Sequence, residues 1–342
     1  MSFRGRGRGG YSRGHQAATP SYTVCRNFLQ GSCPHSPCRY SHVLQRLSTV
    51  RAHSGTLNSF SLVGALVYSG GSDNSVRGWQ ASQTPKGWVL NKTAEMVLPC
   101  RVSSLSFFSE QGVLVAGLGD GGVRVFAADG GVVDLRDGHV REVLAFSLKA
   151  GILFSGGWDG LLLGWEGNIA KIKIQANLGG IKCFTESGSI LWMGCVNGIV
   201  AIGLLPGGQL GIVSTIPTPS AVMGLKTHLS SLVVVCMNGD VFIIDGSTGN
   251  FIIRKNLADI SGQKESVYCL EIVKSASGID YAVLGQREGN LAILQLPDLQ
   301  PKALCKISND NPFDVRALLS AGVEGMFLIG GSDGSLALWK LF

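Results

Sequence analysis

Three cysteines and a histidine crowd into one short stretch near the start of the chain: Cys25-Arg-Asn-Phe-Leu-Gln-Gly-Ser-Cys33-Pro-His-Ser-Pro-Cys38-Arg-Tyr-Ser-His42. Seven, four and three residues separate the successive candidates. Three thiolates and one imidazole complete the tetrahedron that zinc prefers and leave no position open, so the chemistry is structural and not catalytic. A module shorter than ~40 residues usually needs such a staple, and zinc supplies on the order of 10 kcal/mol or more to its fold. The expected cofactor is therefore Zn2+, held by Cys25, Cys33, Cys38 and His42. His35 follows Cys33 by two residues, which strains joint ligation, and it is expected as an exposed loop residue.

Charge points to what such a module meets. Residues 1–51 contain Arg4, Arg6, Arg8, Arg13, Arg26, Arg39, Arg46 and Arg51 and no Asp, Glu or Lys, a local charge of +8. The whole chain carries +6, so the remainder is close to neutral at −2. A basic head on a neutral body directs the head toward a polyanion. Residues 1–20, rich in Arg and Gly, bury too little apolar surface to offset their ordering entropy and are expected to be disordered. Guanidinium groups pair with phosphates and stack on bases, and Gly lets the backbone follow a flexible strand.

The ligand spacing and the residues between the ligands resemble the CCCH zinc fingers of RNA-processing and mRNA-export proteins, and the Arg/Gly-rich head resembles the RGG tails of RNA-binding proteins. The first two gaps are each one residue shorter than in the best-known tandem fingers. The resemblance implies single-stranded RNA as the ligand. It maps the stacking positions onto Phe28 and Tyr40, with Arg26 and Arg39 beside them to reach phosphate or base edges. The other reading of Phe28 and Tyr40 is as the small core of the finger itself.

From residue 44 onward, short β-branched runs alternate with Gly, Asp and Asn turns. One unit recurs: an apolar strand, a turn around Asp, then a strand ending in Trp. It is clearest around Asp73 and Trp79, around Asp159 and Trp165, and around Asp333 and Trp339, with weaker copies at Asp120, Asn197, Asn238 and Glu288. Seven anchors over 299 residues give a period of about 43, and the units resemble WD repeats, each a four-stranded blade. The resemblance implies an all-β chain: a seven-bladed WD-repeat propeller over 44–342, preceded by a zinc finger over 21–43. It also implies a buried network of His, Ser, Asp and Trp in each complete blade. Two blades carry all four: His53, Ser69, Asp73, Trp79 and His139, Ser155, Asp159, Trp165; the last keeps Asp333 and Trp339. The last unit stops after its third strand, so residues 44–51 are expected to supply the fourth and close the ring. A finger followed by a propeller resembles the plant and other eukaryotic CCCH-finger/WD-repeat proteins.

Other chemistry is missing. There is no phosphate loop, nucleophile elbow or HExxH sequence. Cys100, Cys183, Cys195, Cys236, Cys269 and Cys305 stand singly in apparent strands and read as small core residues. No apolar run approaches the ~18–20 residues that cross a membrane, and the Arg/Gly start is unlike a signal peptide. The expectation is an intracellular, non-enzymatic protein, nuclear or cytoplasmic, with no small-molecule substrate. It would be a zinc-dependent RNA-binding adaptor in mRNA processing, export or decay, its propeller holding protein partners. The alternative is a protein-interaction scaffold whose finger binds protein.

Overall fold

The computed structural model of the chain describes residues 24–342 apart from 31–32, 37, 39, 136–137 and 309–310. The Arg/Gly-rich segment 1–20 and Arg39 therefore lie outside the described residues.

β-branched and aromatic runs broken every few residues by Gly, Asp or Asn form strands of four to eleven residues. These assemble into seven four-stranded antiparallel sheets. Six are continuous in sequence: residues 57–97, 102–135, 143–175, 181–217, 222–256 and 267–306. The first strands of neighbouring sheets touch one another all the way round, from the first sheet to the last and back. The sheets thus radiate from a central axis as blades, and the fold is a seven-bladed β-propeller.

Burial explains the sequence texture. A second strand such as Ser231–Cys236 is covered on both faces by adjacent blades, so residues Leu232 to Cys236 are all buried and the run is continuously apolar. An outermost strand such as Ile169–Gln175 alternates between exposed and half-buried residues. Each anchor from Asp73 to Asp333 falls in the turn between the second and third strands of its blade. The turn at Asp333 shows what the following glycine does. Gly334 sits at φ 80°, and a Cβ there would lie 2.1 Å from the His53 carbonyl oxygen. The Gly334 carbonyl in turn accepts from the backbone N–H groups of Ala52 and His53. A residue with a side chain would push the last blade off the first.

The seventh blade combines Val315–Ser320, Met326–Gly331 and Ser335–Leu341 with Leu44–Arg51 as its outer strand. Leu44 stands opposite Leu341 and Arg51 opposite Ser335, antiparallel throughout. The first and last strands of the propeller therefore share one sheet, and neither leaves an open edge at the join. The segment before Leu44 packs at the same seam. Val24, Leu29, Val43 and Leu44 are buried in one cluster with Val283, Ile293, Phe327 and Trp339, between blades six and seven.

Candidate metal centre and partner surfaces

The Cys/His segment is folded back on itself by two backbone features. Val24 bridges Ser41, and the Cys25 N–H donates to the Ser41 carbonyl at 2.9 Å. That clip places the first candidate ligand beside the last. The single helical turn Arg26–Leu29 starts directly after Cys25 and buries Leu29 against the propeller. One ligand atom each from Cys25, Cys33, Cys38 and His42 then falls within 4.8 Å of all the others. Thiolates about 2.3 Å from a zinc ion would be about 3.8 Å apart, so the cluster needs little adjustment to close on a metal.

Two further observations fit a metal. Among the described residues His42 Nε2 is buried without a hydrogen-bond partner, an imidazole nitrogen left for a ligand of another kind. The thiols also perturb each other. A hydrogen bond from the Phe28 backbone holds Cys25 down at about 7, against the effect of burial. Cys33 is raised, its hydrogen bond to the His35 backbone being outweighed by burial and by the neighbouring Cys25 and Cys38 sulfurs. Sulfurs crowded in this way share protons and give them up to a metal.

The candidate contact residues of the finger are placed differently from one another. Arg26 is exposed and Tyr40 is 38% exposed. Both line a hollow of about 390 Å³ on the finger, together with Asn27 and the exposed His35. Phe28 is half-buried. One face of its ring lies flat on His42, with centroids 4.3 Å apart, and the ring also meets Phe342 at 5.5 Å. The stacking surface of Phe28 is thus partly occupied by the finger and the propeller themselves.

In two blades the four-residue networks are assembled. His53 Nδ1 meets Asp73 Oδ1 at 2.8 Å and His53 Nε2 meets Ser69 Oγ at 2.8 Å; Trp79 Nε1 donates to the same hydroxyl at 2.8 Å. His139, Asp159, Ser155 and Trp165 repeat the arrangement. Both histidines are buried, and burial lowers their pKa despite the adjacent carboxylates. Gly71 and Gly157 make room for the rings, since a Cβ at either would come within 2.6 Å of the imidazole. These groups are consumed in holding turns together and offer no acid/base pair to a substrate.

The last blade departs from the expectation that Asp333 and Trp339 join such a network. Phe313 packs where a histidine would stand, near Gly331, and Ile329 takes the strand position of Ser69 and Ser155. Asp333 accepts from the backbone and hydroxyl of Ser335 instead. The Trp339 indole N–H is buried with no hydrogen-bond partner among the described residues. Sequence distance also hid a partner of His228, whose Nε2 meets Asp280 Oδ2 at 3.0 Å across a blade boundary.

Five of the single cysteines lie buried or half-buried in strands, where burial pushes the thiols of Cys183, Cys195, Cys236 and Cys305 up to about 12, far from a reactive thiolate. Cys100 instead lies half-buried in the bend between Val97 and Val102, outside any strand. The surface that sequence reading missed lies at the mouth of the central channel. Every first strand has a register shift just after it starts. The residues at those shifts are Asn58, Ser103, Leu144, Lys182, Met223, Tyr268 and Arg316, and together they line one hollow of about 330 Å³. Arg316 lies 4.1 Å from the Tyr268 ring centroid, and Lys182 lies 4.8 Å from that of Trp158. Arg101 pairs with Glu142 at 3.1 Å. A one-residue position repeated every blade leaves no local motif, and its signal emerges only after the strands are aligned.

The comparisons with known proteins agree with this architecture. A WD domain, G-beta repeat, matches residues 44–80. That span is the outer strand of blade seven followed by the first three strands of blade one, so the sequence repeat straddles the seam. The fold is similar to that of the WD40 β-propeller domain of Doa1, with TM-score 0.69 at 17% identity over 87% of this chain and 96% of that one. It is also similar to the computationally designed Ika8 protein, with TM-score 0.62 at 16% identity over 87% and 100% of the two chains. At such identities the likeness is one of fold. No curated protein sequence matches the chain. No helix among the described residues is long and apolar enough to cross a membrane.

Proposed function

We propose that this protein is a zinc-dependent, non-enzymatic RNA-binding adaptor in mRNA processing, export or decay. In this reading the finger and the Arg/Gly head hold single-stranded RNA, and the propeller carries protein partners. The observation that carries it is the finger hollow, where Arg26 and the exposed Tyr40 ring adjoin the Cys25, Cys33, Cys38 and His42 cluster. Zinc fits that donor set, and when bound it fixes the fold of the segment that presents Arg26 and Tyr40. Each base stacked on an aromatic ring contributes about 1–3 kcal/mol. Tyr40 is 38% exposed, whereas one face of Phe28 is covered by His42.

One finger buries little surface, so useful affinity comes from tethering it to the Arg/Gly head and to partners on the same RNA. The channel-mouth ring supplies the partner surface. Its alternation of aromatic, cationic and apolar groups suits an extended protein segment. The role belongs to the nucleus or the cytoplasm.

The decisive experiment is ultraviolet crosslinking of the full chain to RNA, with and without a zinc chelator, and with Tyr40→Ala and Arg26→Ala. Crosslinking should fall with chelation and with both substitutions. Undiminished crosslinking under all three treatments would reject the finger as the RNA site. Complete lack of crosslinking, with a protein captured through the finger, would favour a scaffold whose finger binds protein.

A further inference from the structure

Between the finger helix and the outer strands of blades six and seven lies a cleft of about 750 Å³. A smaller hollow of about 320 Å³ adjoins it and shares Arg46, Ile307 and Trp339 with it. Three cations line the cleft: Arg26 from the finger, Arg46 from the closing strand Leu44–Arg51 and Lys306 from blade six. Among the described residues no carboxylate lines it. Arg26 and Arg46 have no acidic partner among those residues, and Lys306 has the half-exposed Glu288 at 3.9 Å. Arg26 and Arg46 thus converge on one concavity without acids to neutralise them and maintain a field that draws an anion.

The opposite character lines the rest. Leu29, Ile307 and Trp339 are buried apolar side chains; Trp339 borders both hollows, and Asp333 lines the smaller one. The Trp339 N–H is buried without an acceptor among the described residues. In blades one and three the corresponding N–H is used by Ser69 or Ser155; in blade seven Ile329 offers no oxygen. A buried donor is therefore left over at the border of the cleft that also carries cations, and such donors are normally satisfied.

We infer that this cleft holds one nucleotide of a single-stranded RNA. The phosphate sits among Arg26, Arg46 and Lys306, and the base enters on the side that Leu29, Ile307 and Trp339 border. The inference rests on the RNA reading above. It gains support from continuity: Val24 and Arg26 line both this cleft and the finger hollow with Tyr40. A strand stacked on Tyr40 thus passes Arg26 into the cleft. The volume falls in the range of small-ligand sites, and guanidinium groups suit phosphate and base alike.

The test uses the full zinc-loaded chain and measures binding of a nucleoside 5′-monophosphate and of a short unstructured oligoribonucleotide. The variants are Arg46→Glu, Lys306→Glu and Trp339→Phe, with Lys92→Glu in blade one as the control and melting curves to verify folding. Arg46→Glu and Lys306→Glu should each weaken both ligands about tenfold or more, and each should lower the salt slope by about 1. Trp339→Phe should weaken the mononucleotide at unchanged salt slope. Oligonucleotide binding that is indifferent to all three variants overturns the cleft and leaves the RNA reading standing. Mononucleotide binding that depends on Arg46 and Lys306, in a chain that binds no oligonucleotide, keeps the cleft and ends the RNA reading. A phosphoserine peptide that occupies the cleft where neither nucleotide ligand binds overturns the assignment to RNA.

Discussion

Phe28 lies flat against His42, their ring centroids 4.3 Å apart and their planes 3° from parallel, while Phe342 meets the same ring at 59°. One aromatic side chain thus connects a candidate metal ligand with the last residue of the seventh blade. The imidazole of His42 is oriented by this stack, and the orientation of a ligand ring affects how readily it closes on a metal. Through Val24 and Leu29 the same seam joins the blade-six and blade-seven core, so metal site and propeller support each other mechanically.

Removing the stack should therefore weaken metal binding although no ligand is touched. Phe28→Ala is expected to lower zinc affinity about 10–100-fold, the usual effect of losing a supporting contact. Competition against a chromogenic chelator measures it. Unchanged affinity would mean that the four ligands are held by the backbone clip at Val24 and Ser41 alone.

Leu44 tests how firmly the ring is closed. It is fully buried at the start of the outer strand of blade seven and faces Leu341 in the register. Leu44→Ala should destabilise the protein by about 2–4 kcal/mol, the range for a well-packed core leucine. Urea midpoints compared at constant m-value give the number. A change below about 0.5 kcal/mol would show that the closing strand is a loose strap.

The repeat was legible because its signal is local. A turn needs Asp, Asn or Glu followed by a residue that tolerates positive φ, such as Asn74 or Gly334, and the third strand follows at fixed distance. The four ligand candidates were legible for the same reason, lying within one short segment whose ends the Val24–Ser41 bridge brings together. Long-range substitutions were legible only in part. Aligning Ile329-Gly-Gly-Ser-Asp333 with Ser69-Gly-Gly-Ser-Asp73 already shows that the hydroxyl is lost, but nothing in the repeat marks Phe313 as the residue that packs at Gly331 until the fold brings it there. The channel-mouth ring, from Asn58 to Arg316, draws one residue from each of seven blades, and the cleft draws on three separate segments. Phe28 reads alike as a base platform or as packing until Phe342 is brought round to it.

The two tryptophans at matching positions should respond unequally to the same change. Trp79→Phe removes a hydrogen bond to Ser69 and leaves that hydroxyl with one fewer donor, which should cost about 1–2 kcal/mol. Trp339→Phe removes a buried donor that has no acceptor among the described residues, so its loss of ring area is offset by relief of an unsatisfied group. It should change stability by less than about 1 kcal/mol. Equal losses in the two variants would argue that the indole N–H of Trp339 has found an acceptor in solution.

Acid should weaken the propeller in two steps, the first set by the buried blade histidines and the second by depressed carboxylates, Asp73 and Asp245 among them. Burial holds His53 and His139 below the ordinary histidine pKa. The unfolded chain therefore takes protons near pH 6.5 that the folded blades refuse. Stability from this source is complete above pH 6.5 and declines as the pH falls through it. Asp73 is depressed to about 2, because hydrogen bonds from His53, Ser75 and the Ser54 backbone outweigh its burial. Its contribution, on the order of 2 kcal/mol, is present above about pH 4 and is lost as the pH falls toward 2. Urea unfolding from pH 8 to pH 3 should show a decline beginning near neutrality and a steeper one below pH 4. His53→Phe, which copies the residue that blade seven carries at Phe313, lowers stability overall and should flatten the slope between pH 7 and pH 5. A variant curve that runs parallel to the native one across that interval would remove His53 as the source of the first step.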